Sequence, residues 1–157
     1  MDRKVGNILF DSDKDNWKVG TSVFDQRIIN NKHIIIIIED EEGNKFGGYV
    51  NSKIDKVDKW INDSKSFVFS LESNGRIEGM KKFDIKEPEC AFKLYNQSDD
   101  CLFLFGLGDF GVCKENNKSK SHCDQYSFDY KGIEHALCGN EDQIPFTPKR
   151  IIVIEMK

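Results

Sequence analysis

The sequence predicts an α+β fold that is mostly β, and three observations carry the prediction. Ile34 to Ile38 is an unbroken β-branched run, Ser66 to Leu71 alternates in polarity, and Gly/Asn/Ser turn clusters separate apolar segments at short intervals. The chain has 157 residues, 38% of them hydrophobic, with 12 glycines besides. That is one domain's worth, and a chain of this size builds a full core without disulfide or metal staples. Neither an internal repeat nor a low-complexity linker marks a second domain, so residues 1–157 read as one.

Taken in order, the first strand is the isoleucine run, which lacks polar alternation and so reads as covered on both faces. Glu39 to Asn44 is turn chemistry, and a hairpin into Lys45 to Val50 follows. Ile54, Val57, Trp60 and Ile61 recur at helical spacing, with Ser52 and Asp55 as a capping start, so the pattern predicts a helix over Lys53 to Asn62. Phe67, Phe69 and Leu71 share one face of the next strand and Ser66 and Ser70 the other, after which Ser73-Asn74-Gly75 turns the chain toward Arg76 to Ile85. A short helix is predicted over Pro88 to Leu94. Cys101 to Phe105 and Phe110 to Cys113 read as a strand pair, Glu115 to Gln125 as an exposed polar loop, and Arg150 to Glu155 as a closing strand at or near the sheet centre.

Charge and cysteine usage exclude several function classes. Twenty-three Lys and Arg against 27 Asp and Glu give a net charge of -4, and both signs are mixed along the chain, so no basic face for nucleic acid is expected. The longest apolar run is far shorter than a membrane span, and no signal-like segment follows Met1, so a soluble cytoplasmic protein is expected. Five cysteines, an odd number with no CxxC pair, predict reduced thiols.

Several constellations could carry chemistry. Gly106-Leu107-Gly108-Asp109-Phe110-Gly111 is a literal GxGxxG after an apolar strand. A dinucleotide site needs a helix to begin there, and the polar stretch beyond Cys113 has no apolar stripe to bury, so the reading adopted is a tight strand-to-strand turn. Asp11, Asp13 and Asp15 have the spacing of the first EF-hand ligands, but Asn16 and Ser22 stand where the glycine and the bidentate glutamate belong. That loop and the acidic turn Glu39 to Glu42 read as solvated. His122, Cys123, His135 and Cys138 have no structural zinc spacing, so no metal and no cofactor are expected. Among the thiols, Cys123 is the redox candidate, because His122 and Lys120 beside it would favour thiolate. No catalytic set can be assembled from spacing.

Four segments, in order, resemble the TLDc domain. Glu42-Gly43-Asn44-Lys45-Phe46-Gly47-Gly48-Tyr49 is similar to its FGgY strand, and Asp63-Ser64-Lys65-Ser66-Phe67-Val68-Phe69-Ser70-Leu71 to its SFlFSL strand. Leu104 to Phe110 resembles the family's FG-x-G-DL, with Phe110 where leucine is usual, and Ile151 to Met156 its closing strand with a glutamate. The resemblance spans Ile8 to Met156. It implies a two-sheet antiparallel β-sandwich flanked by a few short helices, in which Phe46, Gly47, Gly48, Tyr49, Phe67, Phe69, Ser70, Leu71, Phe105, Gly106 and Gly108 serve structure.

The resemblance also implies a link to oxidative-stress protection and, as in several eukaryotic members, binding to the vacuolar proton-pumping ATPase, with no agreed enzymatic reaction. A non-catalytic protein-binding module is therefore expected, with no nucleic-acid partner and no membrane insertion. The alternative is a thiol-based peroxide-reactive or redox-sensing protein dependent on Cys123. In a sandwich the sheets are consumed by packing, so recognition is expected at the end loops. Asp109 and Glu155, polar beside apolar strands, are the candidate binding residues.

Overall fold

The computed structural model describes residues 3–138 and 145–157. Eleven strands lie in its chain order: β1 Val5–Asp11, β2 Ile34–Asp40, β3 Lys45–Val50, β4 Trp60–Ile61, β5 Phe67–Glu72, β6 Lys81–Asp84, β7 Phe92–Leu94, β8 Cys101–Phe105, β9 Phe110–Cys113, β10 His122–Cys123 and β11 Pro148–Met156. One five-residue helix, α1 Phe24–Ile28, and two 3₁₀ segments, Pro88–Cys90 and Glu115–Lys120, complete the elements. The first sheet runs β1-β11-β2-β3-β5-β6 and the second β10-β9-β8-β7-β4, with every pair antiparallel. This is the expected mostly β, two-sheet architecture.

Register explains which face each residue presents. Ile34, Ile36 and Ile38 of β2 pair with Val50, Gly48 and Phe46 of β3, and all but the glycine belong to the core. Ile35 and Ile37, on the opposite face, stay half-buried, so β2 is fully covered on one side only. Ile151 and Val153 of β11 join the core beside them. The second sheet adds Phe92, Leu94, Phe103, Phe105, Phe110 and Val112. The Phe105 and Phe110 rings stack at 4.8 Å, and Phe46 meets Phe110 edge-on at 5.5 Å across the two sheets. Gly48 makes room for this layer: a Cβ there would stand 2.5 Å from the Phe105 ring.

β5 alternates as predicted, with Phe67 and Phe69 on one face and Ser70 on the other, and the serine face is the one that meets the core. Val68 and Ser70 point inward, and Phe67 and Phe69 lie on the outer face with Tyr49. There the Tyr49 and Phe67 rings stack at 5.0 Å, and the Lys82 ammonium sits 4.5 Å above Phe67. Gly47 lies beneath Phe69, where a Cβ would approach the ring to 2.9 Å and the Ile36 carbonyl oxygen to 1.9 Å. Alternation located the strand, but it could not assign the faces, because a self-shielding aromatic cluster buries Phe69 and Tyr49 nearly as well as the core does.

The predicted helix over Lys53 to Asn62 is absent. Its backbone groups bond outward instead: Ile54 N–H donates to the Asn31 carbonyl, Asp58 N–H to the Leu94 carbonyl, and the Ile54 carbonyl accepts from Asn30 N–H. The buried Asp63 carboxylate fixes both ends, accepting from the Asn51, Ser52 and Lys65 N–H groups at 2.6, 3.2 and 3.0 Å. Ile54 and Ile61 fill separate parts of the core from an extended chain, which satisfies the same spacing without a helix. Pro88 to Leu94 likewise divides into a 3₁₀ turn and β7.

Candidate functional site

The feature with the most assembled chemistry is the turn between β8 and β9, where the Gly106 to Gly111 motif lies. The turn joins antiparallel strands and no helix follows it. Gly106 has φ +64° and Gly108 φ +122°, and a Cβ on Gly106 would stand 2.1 Å from Asp109 Oδ1. These glycines therefore let the chain close over the Asp109 carboxylate.

Asp109 is wholly removed from solvent. Its carboxylate accepts from the Ser127 N–H at 2.9 and 3.0 Å, the Tyr126 N–H at 3.1 Å and the Tyr130 hydroxyl at 2.7 Å. Its own N–H donates to the Phe105 carbonyl, and its carbonyl accepts from Asp124 N–H. Burial pushes the Asp109 carboxyl above its ordinary range, against the downward pull of the Tyr130, Ser127 and Tyr126 hydrogen bonds. The Tyr130 hydroxyl is pushed up too, by burial and by Asp109 itself.

This carboxylate ties the turn to the segment Asp124 to Tyr130, which is fastened to the other sheet. Lys86 N–H donates to the Ser127 carbonyl and Asp129 N–H to the Asp84 carbonyl, while Phe128 enters the core. Ser127 Oγ accepts from Leu107 N–H at 3.0 Å. Above this anchored base, Leu107 is 50% exposed and Tyr126 46%, with a Cβ position on Gly108 only 3.4 Å from the Tyr126 ring. The end loop thus presents two large apolar side chains on a backbone held from below. Asp109 sits inside that base, so a partner would meet the loop it organises rather than its carboxylate.

Glu155 lies elsewhere, near the end of β11 opposite Ile34. Its alternation with Ile151 and Val153 puts it on their face, where full burial would require a paired cation or hydrogen bonds. The side chain is half-buried, and its carboxylate meets no hydrogen-bond or ion-pair partner among the described residues. Placed at a strand end, it stays solvated and needs no counter-charge. Asp109 and Glu155 therefore do not form one site.

Cys123 also differs from expectation. It belongs to β10 and is half-buried, and Glu115 to Gln125 is mostly a 3₁₀ segment and a short strand rather than an open loop. Burial and a hydrogen bond with the Cys138 thiol push the Cys123 thiol well up, so the charge expected from Lys120 and His122 does not produce a thiolate.

The acidic segments have internal partners. The Arg150 guanidinium bonds Asp11 Oδ2 at 2.9 Å and Asp13 Oδ2 at 3.1 Å, and Asp15 accepts from Asp11 N–H at 2.9 Å and faces Arg27 at 3.4 Å. In the second turn Asp40 accepts from Glu42 N–H, Asn44 N–H and Asn44 Nδ2, while Glu39 and Glu41 face Lys149 and Lys118. Among the described residues no group of three or more His, Cys, Asp or Glu side chains is placed to hold a metal ion.

Sequence reasoning missed Lys114. It is almost fully buried, and its ammonium donates to the carbonyls of Gln97 at 2.7 Å, Asn96 at 3.4 Å and Asp99. Burial lowers its pKa. A lysine closing a strand and followed by polar residues gave no signal that the chain folds a carbonyl-lined loop over it.

Two antiparallel sheets around a phenylalanine layer, with an end loop gathered on a buried aspartate, define a small β-sandwich domain with one organised loop end. The TLDc domain model matches residues 3–147, and the chain belongs to that family. TLDc domains are protein-interaction modules generally linked to oxidation resistance. No curated protein matches the chain. Among the described residues no helix is long and apolar enough to cross a membrane.

Proposed function

We propose that this protein is a non-catalytic binding module of the cytoplasm that acts in oxidative-stress protection by engaging the vacuolar proton-pumping ATPase. The observation that carries a binding role is the end loop, where Leu107 and Tyr126 are exposed on a backbone fastened by Asp109 and Ser127. Exposed apolar side chains on a rigid loop lose little freedom on association, which is how a small surface anchors a partner. The ATPase as partner rests on family membership, and the loop supplies the surface.

The test is capture of the solubilised vacuolar ATPase by the purified chain and by Leu107→Glu. The exposed position makes the variant's melting temperature equal to wild type within about 2 °C, while capture falls by about tenfold or more, as loss of an interface anchor requires. Undiminished capture by Leu107→Glu would show that the loop is not the contact. Absence of capture by the wild type would remove the ATPase as partner.

A further inference from the structure

A different observation concerns the thiols of the second sheet. Cys101 opens β8 and Cys113 closes β9, and the two are direct cross-strand partners with their Sγ atoms 3.3 Å apart. Their backbones are fixed on both sides: Cys101 N–H donates to Asp99 Oδ1 at 2.9 Å and Cys113 N–H to Ser121 Oγ at 2.9 Å. Just beyond, the Lys114 ammonium clamps the carbonyls that precede β8. A disulfide has its sulfurs about 2 Å apart, so forming one here needs roughly 1 Å of approach by side-chain rotation within an existing strand pair.

We infer that Cys101 and Cys113 form a dithiol that hydrogen peroxide converts reversibly into an intramolecular disulfide. Cys113 is the first sulfur to react. The hydrogen bond from the Cys101 S–H, helped by Lys120, lowers the Cys113 thiol against burial and Asp100 and Asp99, which act on both sulfurs, while the same hydrogen bond raises the Cys101 thiol. Cys113 is 7% exposed and Cys101 half-buried, an opening that suits the smallest hydroperoxide.

The Cys113 thiolate attacks one peroxide oxygen, the O–O bond breaks, and the departing hydroxide takes a proton to become water, leaving Cys113 as a sulfenic acid. Cys101 then gives up its proton and attacks the Cys113 sulfur. The S–S bond forms, the S–O bond breaks, and the leaving hydroxide departs with that proton as a second water. Two thiols are oxidised by two electrons in all, and one peroxide is reduced to two waters. The reaction does not require Cys123, whose thiol is paired with Cys138 away from this sheet end, and it is independent of whether the end loop binds the ATPase.

Peptide mapping of the full chain tests this directly. Lys93 and Lys114 bracket both cysteines with no Lys or Arg between, so trypsin releases them on one peptide, residues 94–114. After treatment of the reduced protein with peroxide and alkylation under denaturing conditions, that peptide should carry no alkyl group and be lighter by two hydrogens. Dithiothreitol should restore both alkylation sites. In Cys101→Ser, dimedone should trap a sulfenic acid at Cys113, and in Cys113→Ser the oxidised peptide should vanish. A wild-type peptide that keeps both alkyl groups in excess peroxide overturns the inference, as does oxidation confined to Cys123 and Cys138. The wild-type chain gives the decisive reading, so it does not depend on either variant folding.

Discussion

Two hairpin turns of this domain are each built on a buried aspartate, and they differ in how far the carboxylate reaches. Asp40, between β2 and β3, accepts from Glu42 N–H, Asn44 N–H and Asn44 Nδ2, none more than four residues away. Asp109, between β8 and β9, accepts from groups 17, 18 and 21 residues away. The first carboxylate shapes its own turn; the second sews a turn of one sheet to a segment bonded to the other. At the first turn Glu41 and Glu42 are exposed, so water can reach the Glu42 N–H if the carboxylate is lost, although Asn44 is buried; at the second, Ser127 and Tyr130 are buried and their link to the turn is lost with the carboxylate.

The largest expected effect is therefore the contrast between Asp109→Ala and Asp40→Ala. Three donors lose their acceptor in each, but in the first they also lose the tie between the turn and a segment bonded to the other sheet, so the expected loss of stability is about 3–5 kcal/mol against about 1–2 kcal/mol in the second. Chemical denaturation of both variants reads the difference, and equal losses would break the distinction. Next in size is Gly106→Ala, whose Cβ would collide with the Asp109 carboxylate in a positive-φ turn, with an expected cost of about 2–4 kcal/mol by the same measurement.

The pH dependence sharpens the comparison with a third aspartate. Asp109 has a raised carboxyl in the folded chain, so its contribution is fully present below the ordinary carboxylate range near ~4 and is lost as pH rises through the folded value. Asp11 is the reverse. The hydrogen bond from Arg150 holds its carboxyl low, so its contribution is present above that range and is lost as pH falls through the depressed folded value. In melts across this range, the advantage of wild type over Asp109→Asn should narrow with rising pH and that over Asp11→Asn should widen. Parallel slopes would contradict the assignment.

The smallest effect belongs to Ser70. Its hydroxyl is buried and unpartnered, the opposite of the saturated Asp109 carboxylate, so Ser70→Ala should leave stability unchanged or raise it by up to ~1 kcal/mol.

The same distinction between near and far explains what the sequence could tell. Turn chemistry at Glu39 to Asn44 is local, and it correctly placed a hairpin there. β-Branched runs found β2 and β11, and the four TLDc-like segments carried the sandwich. The helical spacing of Ile54, Val57, Trp60 and Ile61 misled because its resolution lay in distant partners, Asn31, Leu94 and the Asp63 carboxylate. Asp109 was legible as a polar residue set between apolar strands, but Tyr126, Ser127 and Tyr130 as its partners were not, since nothing in their local sequence marks them. The Cys101 to Cys113 pair was hidden for the same reason: only the register of β8 against β9 brings the two thiols together.

Amide hydrogen exchange at Tyr126 and Ser127 is the most direct test of the claim that a buried carboxylate holds the end loop. In the wild type both amides should exchange as slowly as those of the core strands. In Asp109→Ala both should lose that protection while the Glu42 and Asn44 amides, held by Asp40, keep theirs. Exchange at Tyr126 and Ser127 in the wild type as fast as in an open loop would contradict the account.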